Sequence, residues 1–264
     1  MDIKPLVKKN NYSINQWWRL FATALGFMLF GLCGLIVLSI LWFSLLRLFV
    51  WNKNKRIVIV QISISFSFRI FIRILKFLNV IQYQFDGLEK LNQDKSCLIV
   101  ANHPSLLDFV LLASVMPRCD CLVKGALLHN VFVSRIIKTA GYILNAESEK
   151  ILPQCQNILL NGGRILIFPE GTRTVPNQPI KLHRGAANIA LRCHANIRVV
   201  HIQCDPPYLI KHQRWYDIPT QKASFKITVG EKILIDDFMD QNTTIAARRL
   251  TSYLTSFFTK SRIN

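Results

Sequence analysis

Acidic side chains are scarce in this chain. Its 264 residues hold 15 Asp and Glu against 33 Lys and Arg, a formal net charge of +18. A surplus that large points to an anionic partner: nucleic acid, an anionic lipid surface or a phosphate-bearing substrate. The basic residues are spread along the chain and no recognisable nucleic-acid motif accompanies them, which disfavours nucleic acid. Cysteine builds no framework either. There are seven, an odd number without patterned spacing, so a disulfide-stapled scaffold is excluded. Cys119-Asp120-Cys121 has no second pair to complete a zinc site, and no metal is expected. The cysteines read as reduced thiols of a cytosol-facing domain, or as inert buried groups. No internal repeat and no low-complexity linker occur, which excludes a solenoid or a tethered array.

Charge is missing altogether from Leu20 to Leu46, 27 residues. As a helix this run reaches roughly 40 Å, more than the ~30 Å hydrocarbon core of a bilayer. Trp17, Trp18, Trp42 and Trp51 stand near its ends, as interfacial aromatics do. It is too long for a cleaved signal peptide, and no small-x-small site follows closely. Gly26, Gly31 and Gly34 leave room for a bend, so the run reads as a transmembrane helix or a deep re-entrant hairpin. Lys4, Lys8, Lys9 and Arg19 precede it; Arg47, Lys53, Lys55 and Arg56 follow, then Arg69, Arg73 and Lys76. The balance leans slightly toward a cytoplasmic C-terminal side, and the expected location is a cell inner membrane with the C-terminal domain on the cytoplasmic face. Over residues 61–68 Ile62, Ile64, Phe66 and Phe68 alternate with Gln61, Ser63, Ser65 and Ser67, a strand period. A helix period takes over from Phe66. The favoured reading is a basic amphipathic helix on the membrane surface, the alternative an edge element of the soluble domain. The expected organisation is a basic tail over 1–19, a membrane helix over 20–46, a membrane-surface segment over 47–80 and a folded domain over 81–264.

That domain alternates apolar runs with helical patterns. Strands are expected at Cys97–Ala101, Cys121–Val123, Tyr142–Leu144, Arg164–Phe168, Ile197–Gln203, Ser224–Val229 and Lys232–Ile235. Helices are expected at Pro104–Met116, Val131–Thr139, Ser148–Leu160, Arg184–Cys193 and Thr243–Phe258. Such alternation implies an α/β fold, a mainly parallel or mixed sheet flanked by helices.

Two stretches carry chemistry. The first is Asn102-His103-Pro104-Ser105-Leu106-Leu107-Asp108, between a buried strand and a buried helix. Pro104 suits a first helical position, where a missing N–H costs nothing. His103 then sits just outside the helix and Asp108 lies close enough to turn back toward it. A carboxylate on one ring nitrogen leaves the other free to accept a proton. The same pair could equally be an N-cap partner or a satisfied core group. The second stretch is Phe168-Pro169-Glu170-Gly171-Thr172-Arg173-Thr174, a loop at a strand end, where α/β folds place ligands. Arg173 offers a planar fork suited to phosphate. Glu170 suits a hydroxyl or holds Arg173 in place. A solvated structural turn is the other reading.

Together the stretches resemble the glycerolipid acyltransferase family, which includes lysophosphatidic acid acyltransferases. Its members carry N-H-x-S-x-x-D and, some sixty to eighty residues on, F-P-E-G-T-R-S or close to it. Here His103 and Glu170 are 67 residues apart, and the resemblance covers roughly residues 80–260. It implies that His103, held by Asp108, deprotonates an acceptor hydroxyl, and that the alkoxide attacks the thioester of acyl-CoA or acyl-carrier protein as co-substrate. It implies acceptor binding by Glu170, Gly171, Thr172 and Arg173. Lys124, in Val123-Lys124-Gly125-Ala126-Leu127, and Arg184, in Leu182-His183-Arg184-Gly185-Ala186-Ala187-Asn188, match further family blocks as candidate anion ligands, with Lys181 beside the latter. No Ser or Cys stands in a nucleophile elbow, so direct transfer without an acyl-enzyme is preferred. Ser105 reads as a helix cap and His201 as structural. No cofactor is expected; the partners are membrane lipids, the acyl thioester and a lipid with a free hydroxyl.

One position departs. Where the family often has an arginine after the next strand, Gly141-Tyr142-Ile143-Leu144 is followed by Asn145, which favours an acceptor other than a glycerol phosphate. The Ala-Asn-His-Pro-Ser-Leu-Leu-Asp wording, Arg184 to Ala190 and Lys211 to Tyr216 resemble a bacterial branch associated with aryl polyene-type clusters. The third alternative is a non-enzymatic basic module binding lipid or nucleic acid.

Overall fold

The computed structural model describes residues 13–145, 148–175, 178–240 and 242–260. Lys4, Lys8 and Lys9 of the basic tail lie outside them. One mixed sheet is built from β1 (Ile81–Asp86), β2 (Cys97–Ala101), β3 (Asp120–Val123), β4 (Ile143–Leu144), β5 (Arg164–Ile167), β6 (Asn196–Asp205) and β7 (Ala223–Ile233). The spatial order is β1-β7-β6-β2-β5-β3-β4, with every neighbouring pair parallel except β6 and β7. The expected α/β class holds.

β2 is central and buried along its whole length. Its side chains alternate between two cores, as a strand's must. Cys97, Ile99 and Ala101 pack with α1 (Ile14–Leu29), α3 (Lys53–Phe77) and α5 (Asp108–Val115). Leu98 and Val100 pack with α7 (Ser148–Leu160), α8 (Gly185–Arg192) and α9 (Thr243–Lys260). The short α4 (Leu88–Gln93) and α6 (Val131–Ala140) complete the helices on the rims, after α2 (Phe43–Phe49) near the N-terminus.

Two segments expected as separate strands, Ser224–Val229 and Lys232–Ile235, are largely one strand, β7. Gly230 lies where the β6–β7 register shifts, and a Cβ there would meet Val199 Cγ2 at 2.9 Å. The glycine thus marks an irregularity within the strand rather than its end. β1 was signalled by Ile81, Tyr83 and Phe85 alternating with Gln82, Gln84 and Asp86, but it is absent from the expected strands.

The N-terminal region differs most from expectation. α1 opens with a capping box between Ser13 and Gln16. Winding then loosens to a π-type helix over Phe30–Trp42 before α2, so residues 14–49 form one helical run. The chain turns at Val50–Asn52 and α3 runs back along it. Trp18 Nε1 donates to Leu78 O at 2.9 Å, and Trp42 Nε1 to Ser63 Oγ at 3.0 Å. Gly26 admits Leu75 at a distance no side chain would allow, its notional Cβ 2.8 Å from Leu75 Cδ2. The pair is therefore an antiparallel hairpin.

The strand period of 61–68 forms no strand; it lies within α3. Ser63 and Ser67 donate back to Ile59 O and Ser63 O, both at 2.8 Å, so they need no solvent. Gln61 and Ser65 are buried, bonded to Asp120 and Ala140 and to Ser114. Arg69 does not face headgroups: its guanidinium donates through Nε and Nη2 to Ser114 O, at the last turn of α5, where a cation is favoured. Arg19 is likewise buried, donating to the carbonyls of Pro219 and Thr220. Away from the domain the hairpin shows Trp17, Phe21, Leu41, Leu48, Phe49, Trp51, Phe66 and Phe77 to solvent. Among the described residues α3 is a helix long and apolar enough to cross a membrane by length and composition, with 33% of its apolar window buried.

Candidate active site

Strands β6, β2, β5 and β3 run parallel, so their carboxyl ends share one edge of the sheet. His103 follows β2, Glu170 follows β5 and Lys124 follows β3. In open α/β sheets this is the ligand-binding edge. Asn102 anchors the turn: it is buried, and its side chain exchanges two hydrogen bonds with the Ile202 backbone, at 2.7 and 2.8 Å.

The helix begins at Asp108, not at Pro104. Residues 103–107 form an irregular turn because their polar groups are claimed from outside the helix. Ser105 Oγ donates to Tyr208 O at 2.8 Å and accepts from Leu107 N–H, while Leu106 N–H donates to Leu209 O at 3.1 Å. Ser105 is thus a tie to the segment after β6. Asp108 Oδ2 accepts from the Ser105 N–H at 2.7 Å and meets His103 Nδ1 at 2.9 Å. With Nδ1–H donated to the carboxylate, Nε2 is left as an acceptor. The imidazole stacks on Phe168 at 4.3 Å, which fixes its plane.

Asp108 is fully buried, and Oδ1 has no partner among the described residues. Burial pushes its carboxyl up to about 6, against the pull of His103 and the Ser105 amide and with a smaller push from Glu170.

Glu170 ties the two motifs together. It is buried, and its Oε1 accepts from the His103 N–H at 2.9 Å and from Thr174 Oγ1 at 2.8 Å. The Thr174 N–H returns to His103 O at 2.7 Å. So the hydroxyl that Glu170 binds is Thr174's, and Arg173 is held elsewhere. Arg173 Nη1 donates to Leu209 O at 2.8 Å and Ile210 O at 3.1 Å. Gly171 has φ +62, in the left-handed region, and a Cβ there would meet the His183 ring at 3.2 Å. Thr172 is exposed at the same turn.

Lys124 is exposed on the same edge beyond β5, ahead of a 3-10 turn at Gly125–His129. Arg184 is exposed just before α8, and the neighbouring His183 N–H donates to Pro169 O at 2.8 Å. Among the described residues neither is bonded to the dyad. Asn145 follows β4, its N–H on Val123 O at 2.8 Å, beside Lys124. His201 is buried on β6 and burial lowers its pKa. The Tyr208–Ile210 segment is the part of this site that local sequence reading misses; Pro206-Pro207 is a local sign of a rigid turn there.

The six described cysteines are unbridged, and burial raises the thiols of Cys97, Cys119, Cys155 and Cys204 to about 12. None is a ready nucleophile. No group of His, Cys, Asp and Glu among the described residues gathers to hold a metal ion. What remains is a histidine with a free ring nitrogen, an orienting carboxylate, and an arginine turn joined to both through one buried glutamate.

Residues 82–204 match the Acyltransferase family model. The matched stretch runs from β1 into β6 and includes both motifs. The chain is 26% identical over 153 residues to human 1-acyl-sn-glycerol-3-phosphate acyltransferase alpha, covering 53% of this chain and 52% of that protein. Against human 1-acyl-sn-glycerol-3-phosphate acyltransferase beta it is 25% identical over 134 residues, 48% of each. Against the Pseudomonas aeruginosa 1-acyl-sn-glycerol-3-phosphate acyltransferase it is 28% identical over 117 residues, covering 42% of this chain and 45% of that one. The matches thus span about half the length of these relatives. The crystal structure of the 1-acyl-sn-glycerophosphate acyltransferase PlsC from Thermotoga maritima superposes with a TM-score of 0.70 at 20% identity, over 94% of this chain and 97% of that one. The fold is shared over nearly the whole chain, the N-terminal hairpin included.

Proposed function

We propose that this protein is a membrane-bound O-acyltransferase that moves an acyl group from acyl-CoA or acyl-carrier protein to the hydroxyl of a lysophospholipid of the lysophosphatidic acid type. The observation that carries this reading is the His103–Asp108 pair, tied through Glu170 to the turn that bears Arg173. His103 Nε2 takes the proton of the acceptor hydroxyl as its oxygen bonds to the thioester carbonyl carbon. The tetrahedral intermediate collapses, the C–S bond breaks, and the thiolate departs with the proton returned by His103. Asp108 holds the tautomer and steadies the imidazolium. A positioned base of this kind gives roughly 10²–10⁴ in rate. Arg173 and the exposed Lys124 and Arg184 supply positive charge for an anionic headgroup. The apolar outer face of the hairpin seats the protein in the membrane, on the cytoplasmic side of the inner membrane.

A second acceptor, another lipid or glycolipid hydroxyl as in aryl polyene-type lipid assembly, is favoured by Asn145, which puts an uncharged amide beside Lys124. One experiment separates the two. Purified protein in lipid is given acyl-CoA or acyl-carrier protein with a panel of acceptors, and products are read by lipid mass spectrometry. Phosphatidic acid formation that disappears in His103→Ala is the expected result. Acylation of other hydroxyls alone establishes the second reading, and wild-type turnover by His103→Ala removes the base assignment.

A further inference from the structure

The segment after β6 bonds to both motifs of the site, yet it belongs to neither. Tyr208 O holds Ser105 Oγ, Leu209 O holds both the Leu106 N–H and Arg173, and Ile210 O holds Arg173 again. Leu209 has φ +53, a conformation an unconstrained leucine avoids, so outside contacts must hold it there. Leu106 and Arg173 hold its carbonyl, and α1 holds the residue before it. Tyr208 OH pairs with Thr23 Oγ1 at 2.8 Å, and both residues are 2% exposed. At the far end of the same segment Arg19 grips the carbonyls of Pro219 and Thr220, and Gln16 Nε2 reaches Ile218 O at 3.5 Å. One face of α1 therefore clamps the segment at both ends, while the opposite face shows Trp17 and Phe21 to the surroundings.

We infer that Tyr208 is a positioning residue that, through Thr23, makes the placement of Arg173 depend on the seating of α1. The inference rests on the acceptor-binding role proposed above for Arg173. If α1 shifts, Leu209 relaxes from its strained conformation, and its carbonyl withdraws from Arg173 and from the turn that follows His103. The site is then competent only while the membrane hairpin is docked.

Two variants remove one hydroxyl each with little change of shape: Thr23→Val and Tyr208→Phe. Each is expected to raise the acceptor KM about 3- to 10-fold, the usual scale for one lost hydrogen bond, with the donor KM moving less than about twofold. The double variant should be no worse than either single one, because both break the same bond, and Thr23→Ser should restore wild-type values. A merely structural role predicts a lowered Tm with both KM values unchanged, and that result overturns the inference. Arg173→Ala in the same assay separates the two claims. If it leaves the acceptor KM unchanged, the Arg173 role fails, and hydrogen exchange of the peptide containing Leu106 decides the coupling. Faster exchange there in Thr23→Val upholds it, and unchanged exchange overturns it.

Discussion

Two buried aspartates flank the same central strand, and they are solvated in opposite ways. Asp94 lies just before β2 and is 3% exposed. Arg198 grips both its oxygens at 2.7 and 2.9 Å, and Lys232 adds a third contact at 2.8 Å. Burial alone raises its pKa, but Arg198 and Lys232 outweigh that and hold it below the ordinary value. Asp108 lies just after β2, with one oxygen unpartnered and the other shared by a histidine and an amide. Its carboxyl sits at about 6. The first carboxylate is neutralised and stabilises the fold. The second is left under-compensated, and in the proposed mechanism it attracts the proton on His103, a local cost typical of functional sites.

The largest effect that would break this contrast is on rate. Asp108→Asn should lower acyl transfer about 10²- to 10⁴-fold with substrate binding retained, since the imidazole loses its orienter. In the wild type, activity should fall as pH drops through about 6, where Asp108 takes up a proton. Steady-state kinetics across pH 5–8 checks both; a near-normal rate in the variant would make Asp108 a structural group like Asp94.

On the other side, Asp94→Ala should destabilise the fold by about 3–5 kcal/mol by stranding a buried arginine, read by denaturant unfolding. The pH signs are opposite. A lowered pKa such as Asp94's contributes stability that is present above the ordinary 3.8 and lost as pH falls through its folded value. A raised one such as Asp108's contributes stability that is complete below 3.8 and lost as pH rises through about 6. Asp108→Asn should therefore be more stable than the wild type at pH 7–8 by about 1–3 kcal/mol, with the difference vanishing near pH 4. A variant less stable at every pH would refute the strain. The smallest effect belongs to Lys232→Met, which removes only the partly exposed partner of Asp94 and should cost about 1 kcal/mol or less.

The contrast also marks where local reading stops. His103 and Asp108 are five residues apart, so a turn suffices to join them, and the pair was legible. Glu170 was legible as part of a strand-end loop, and Thr174 is only four residues away, but its bond to the His103 amide depends on β2 and β5 lying side by side. Asp94, in the polar stretch Asn92-Gln93-Asp94-Lys95, reads as a solvated loop, because Arg198 and Lys232 arrive from strands more than a hundred residues on. The serines of α3 read as a strand period since nothing local reveals that two of them bond back along the helix and a third to α5.

The sequence by itself determined the alternation of strands and helices, the apolar N-terminal run, and the two motifs with their spacing, because periodicity and short-range geometry are written in neighbouring residues. Only the tertiary structure decided which buried charges are compensated, that α1 and α3 form a hairpin packed on the domain, and that the Tyr208–Ile210 segment lies between the hairpin and the arginine turn. Those outcomes depend on contacts between segments far apart in sequence, where parallel strand pairing and close packing, rather than local propensity, set which groups meet.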